Sequence, residues 1–96
     1  MTPAEIVRAL EGWDRRLKGM RLRSLRVPEE EAGRLRPALH EVAAAFEAAR
    51  SRWEGGRVLT LGPPPGLLRE MEAALEGVAA AYARHSATFS ALGVLE

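Results

Sequence analysis

Apolar side chains recur in this chain at alternating steps of three and four residues, in three separate stretches. That spacing leaves few folds open. The first stretch reads Ile6, Leu10, Trp13, Leu17, Met20, Ser24, Val27, with Ser24 its one break. The second reads Ala32, Leu35, Leu39, Val42, Phe46, Ala49, Trp53. The third reads Leu68, Met71, Leu75, Val78, Tyr82, His85, Phe89, Leu92. A mean step of 3.5 residues lines each set along one side of an α-helix and favours coiled-coil-like packing. A single helix cannot bury such a stripe, so the three must cover one another. The expected fold is all-α, a three-helix antiparallel bundle forming one domain over 1–96. A two-helix hairpin that dimerises would satisfy the same pattern. The alanine runs Ala43–Ala45 and Ala79–Ala81 permit close helix approach.

Terminal signals agree with this division. Thr2-Pro3-Ala4-Glu5 places Thr at N-cap, Pro at N1 and Glu at N3, a capping box in which the proline's missing N–H costs nothing. Pro28 separates the first two stripes, and Glu29, Glu30 and Glu31 follow it, where the positive end of a helix dipole favours acids. Pro37 is expected either to kink the second helix or to be its first residue. Gly55-Gly56 reads as its stop. Residues 55–66, GGRVLTLGPPPG, read as a linker whose three prolines are stiff and extended. Gly77 weakens the third helix by ~1 kcal/mol relative to Ala, and Gly93 is its expected C-cap. An α+β alternative pairs short strands near 20–27 (MRLRSLRV) and 57–61 (RVLTL), but the alternation fails at Arg26.

Composition narrows the chemistry. Ala, Leu, Arg and Glu number 17, 13, 13 and 12 of the 96 residues, and Cys, Asn and Gln are absent. No disulfide, thiol nucleophile or cysteine metal site is possible. The missing thermolabile residues fit a thermophilic source. No apolar stretch approaches the ~18 residues of a membrane span. Arg8, Glu11 and Asp14 interrupt any signal-peptide core, so the expected location is cytoplasmic.

The formal net charge is +1, but it is unevenly spread. Residues 1–27 hold seven basic and three acidic side chains, whereas residues 28–54 hold four and six. Arg15, Arg16, Lys18, Arg21, Arg23 and Arg26 form a run without an intervening acid. Six cations on ~18 Å of helix can neutralise phosphates of a nucleic acid or face an acidic protein, such as Glu29 to Glu31 of a second copy. As ordinary surface, their aliphatic stems would cover apolar neighbours.

Catalytic and metal signals are lacking. There is no phosphate-cradling glycine loop, nucleophile elbow or paired-acid motif. His40 and His85 stand in no ligand spacing. A half-buried, hydrogen-bonded His85 beside Tyr82 is expected. Neither cofactor nor small-molecule substrate is expected.

Trp53-Glu54-Gly55, at mid-chain after an alanine-rich heptad helix, resembles the Trp-x-Gly family of small secreted helical hairpins exported by type VII systems. The resemblance implies an inter-helix turn at that motif and export under a C-terminal Tyr-x-x-x-Asp/Glu signal. Here Tyr82 is followed at that spacing by Ser86, Pro28 and Pro37 interrupt the first helical half, and a Pro-rich linker follows the motif.

These features point to a non-enzymatic interaction module, such as an adaptor, chaperone-like or assembly subunit, that self-associates or binds a protein. Leu22, Leu25, Leu59 and Leu61 lie off the stripes and are the candidate partner contacts. A nucleic-acid accessory protein using residues 15–26 is the alternative.

Overall fold

The structure, a computed structural model, describes residues 1–58 and 64–95, apart from the side chains of Arg57 and Val58. Three helices form: α1 (Pro3–Ser24), α2 (Glu29–Val58) and α3 (Pro65–Ala91). They pack as the all-α three-helix bundle that the stripes require, with no strand among the described residues. Residues 20–27 are helix and turn, which removes one arm of the α+β alternative. Of its other arm, 57–61, residues 57 and 58 close α2, and 59–61 lie outside the described residues.

The helices run up, down, up. Arg52 near the end of α2 pairs with Glu70 near the start of α3 (3.1 Å), and Glu41 meets Arg84 (2.5 Å), so α2 and α3 are antiparallel. Trp13 stacks edge-on against Tyr82 (5.5 Å between centroids), and Arg23 reaches the carbonyl of Val94 (2.5 Å), so α1 and α3 are parallel. No described helix is long and apolar enough to cross a membrane.

Local chemistry sets the helix ends. At α1, the Thr2 hydroxyl accepts from the Glu5 amide and the Glu5 carboxylate accepts from the Thr2 amide, both at 3.2 Å, completing the capping box. Beyond Ser24, the amides of Leu25, Arg26 and Val27 each donate three residues back, drawing the chain into a tight turn. The Pro28 carbonyl then accepts from Glu31 and Ala32, opening α2. At the end of α3, Gly93 is left-handed (φ 70°), its amide bonds to Ser90 and the Val94 amide to Phe89 (3.2 and 2.9 Å). This is a Schellman ending, and Val94 and Phe89 are both fully buried, as its apolar contact requires.

The glycine stop needs correction, and one of the two alternatives for Pro37 is excluded. Gly55-Gly56 does not stop α2, which runs on to Val58. Neither glycine takes a positive φ. At Gly56 a Cβ would come within 2.5 Å of the Leu67 side chain, so the glycine admits close packing of α2 on α3. Pro37 is neither an N1 nor a terminus but lies inside α2. Pro37 and Gly33, whose carbonyl loses its i+4 donor, are both exposed, so water can reach the orphaned acceptor.

The core follows the stripes with a small drift. Ile6, Leu17, Met20, Val42, Phe46, Met71, Val78 and Phe89 are at most 2 % exposed. On α3, Leu67 and Ala81 are buried where the heptad step selects Leu68 and Tyr82, and Ala38 joins the core on α2. A straight helix turns 3.6 residues per turn, so the buried line slips from a strict 3.5 step. Among the described residues no polar or charged side chain is buried.

Candidate functional site

An interior without polar groups puts any chemistry on the surface. Among the described residues, the largest apolar exposure lies where α1 turns into α2. Leu22 is 68 % and Leu25 81 % exposed. Leu22 projects from the last turn of α1, opposite the core stripe, and Leu25 caps the helix. Beside Leu25 is a hollow of about 250 Å³ with Val27, Leu35 and Leu39 in its wall. Glu29 and Arg36 edge it and bond to each other at 2.9 and 3.1 Å. Leu59 and Leu61, the other two candidate contacts, lie outside the described residues.

The six cations divide into two groups. Arg16 lies over the rings of Trp13 and Tyr82 (4.8 and 5.2 Å), a cation–π contact that ties α1 to α3. Arg23, half-buried, donates to the Val94 carbonyl. Lys18 pairs with Asp14 at 2.8 Å and holds that carboxyl below its ordinary value. Arg15, Arg21 and Arg26 are exposed and make no ion pair among the described residues. The corner therefore presents two leucines among uncommitted guanidiniums.

A second surface lies between α1 and α2. Leu10, Phe46 and Trp53 floor an open cleft of about 230 Å³, and Val7, Glu11, Asp14, Arg50 and Glu54 rim it. Sequence reasoning did not find it, because its two walls are some forty residues apart in the chain. The available signal was Val7, an apolar residue one position off the α1 stripe.

The remaining expected features are placed as follows. His85 is half-buried against Phe89 (6.2 Å) and hydrogen-bonds Glu41. That carboxyl is held below the usual range by His85 first and Arg84 second. His40 is exposed, and no three metal-ligating side chains converge among the described residues. Trp53, Glu54 and Gly55 all lie inside α2, and Trp53 is a core residue.

No protein-family model, curated protein or solved structure matches the chain.

Proposed function

We propose that this chain is a non-enzymatic protein-interaction module, an adaptor or assembly subunit, that docks through the α1–α2 corner. The observation carrying this reading is the exposure of Leu22 and Leu25, the two most exposed large apolar side chains among the described residues, at the end of the bundle. Exposed aliphatic pairs of this kind, ringed by cations, fit a partner surface with an apolar centre and an acidic rim. Such a partner would cover the leucines and face Arg15, Arg21 and Arg26. No cofactor is needed, and the reading places the protein in the cytoplasm.

Affinity capture from the native organism with three baits tests it: wild type, Leu22→Glu/Leu25→Glu, and Ala80→Glu on the exposed side of α3. A protein retained by wild type and Ala80→Glu but lost with the leucine variant supports the docking corner. Identical capture by all three overturns it.

A nucleic-acid accessory role is the second reading, supported by the three uncommitted guanidiniums. Because only three cations of that run are uncommitted among the described residues, the log–log salt slope of binding through it should be no steeper than about −3. Absence of binding at low salt eliminates it.

A further inference from the structure

A second periodic line runs along α1, displaced from the core stripe by roughly 100° around the helix. It comprises Val7, Glu11, Asp14, Lys18, Arg21 and Leu25, at steps of 4, 3, 4, 3 and 4. Its order is apolar, acid, acid, base, base, apolar. Set antiparallel against itself about the level of residue 16, Val7 faces Leu25, Glu11 faces Arg21, and Asp14 faces Lys18. Every pairing is complementary. The parallel in-register arrangement sets like charge against like at all four charged positions.

We propose that a second copy of this chain pairs with the first along this face, α1 antiparallel to α1, in a two-fold dimer. The inference rests on the corner being a docking surface and names its occupant. A two-fold interface requires that when residue i touches j, j also touches i, and the line meets that condition at all six positions.

The surface shape supports the same occupant. Val7 stands at the mouth of the cleft between α1 and α2, whose floor includes Leu10, Phe46 and Trp53. Leu25, 81 % exposed, is the residue that antiparallel pairing brings to that mouth. The dimer thus covers Leu25 of both copies and fills both clefts. Glu11 and Arg21 are exposed and free to meet. Asp14 and Lys18 already pair within the helix, so the two copies close a four-charge ring at the axis. One helix face of about 33 Å is a small interface, below the standard ~1,200–2,000 Å², so the dissociation constant should lie near ~10–100 μM.

Sedimentation equilibrium across roughly 5–500 μM tests the pairing against that expected range. Wild type should pass from monomer to dimer and stop there. Glu11→Arg or Arg21→Glu alone should raise the dissociation constant about tenfold or more, because two-fold symmetry counts each change twice. Both substitutions in one chain reverse the order of charge and should restore association. An equimolar mixture of the two single variants should associate more tightly than either alone. Both substituted positions are exposed, and circular dichroism verifies that each variant stays folded. A wild type that remains monomeric, or a double variant that fails to recover, overturns the pairing. If wild type is monomeric yet loses a captured protein on Leu22→Glu/Leu25→Glu, only self-pairing is lost. If that capture is unchanged too, the docking corner falls with it.

Discussion

Glu41 joins α2 to α3 through two residues of the next helix, His85 and Arg84. Its carboxyl is held below the ordinary value, so the folded state favours the ionised form. The resulting stability is present in full above the unfolded carboxylate value and is lost as pH falls through the lower folded one. Glu41→Gln should therefore lower the urea midpoint at neutral pH and flatten its fall between about pH 5 and pH 2. A variant with the wild-type profile would show that the contact contributes nothing. The glycines give a second residue-scale test. Gly77 lies exposed inside α3, with nothing within 4 Å of an added Cβ. Gly77→Ala should raise stability by ~0.5–1 kcal/mol, read as a higher melting temperature. Gly56→Ala should gain less or lose, because its methyl meets Leu67. At Gly93 the left-handed backbone makes Ala costly by ~1 kcal/mol, although the space around it is open.

At the scale of elements, the sequence made most of the helices readable, and the failures share a cause. The capping box at Thr2, the break at Pro28 and the left-handed Gly93 are local signals, satisfied by residues within one turn of themselves. Gly55-Gly56 was misread as a stop because its meaning is tertiary. Gly56 leaves room for Leu67 of another element, invisible to a reading confined to α2. The burial of Leu67 and Ala81 in place of Leu68 and Tyr82 is likewise set between elements. A small side chain facing α2 lets the backbones close, and Tyr82 is turned aside to meet Trp13. The candidate surface was partly legible. Leu22 and Leu25 declared themselves by lying off every stripe, but a run of six cations does not reveal which are engaged by contacts within the fold. Arg16 and Arg23 are, through Tyr82 and Val94. Arg23→Ala should therefore loosen the join between the ends of α1 and α3, measured as faster amide exchange in residues 17–24 without loss of global helix content.

Across the whole molecule, α2 and α3 form the closely apposed pair, with Ala38, Ala49 and Ala81 buried among their packed residues. The first helix stands off behind larger side chains, Ile6, Leu10, Trp13, Leu17 and Met20. Native-state exchange should find α1 opening at lower free energy than the α2–α3 hairpin, with uniform protection in all three helices as the contrary result. The bundle is also long and thin, 49 Å against 20 and 18 Å, with a radius of gyration of 14.9 Å. A compact chain of this length has a radius near 12.5 Å. An axial ratio of about 2.5 raises the frictional coefficient, so the monomer migrates through a porous matrix as a heavier sphere would. Elution volume alone would then imitate the dimer in a chain that had formed none, and scattered light or equilibrium gradients must carry the mass.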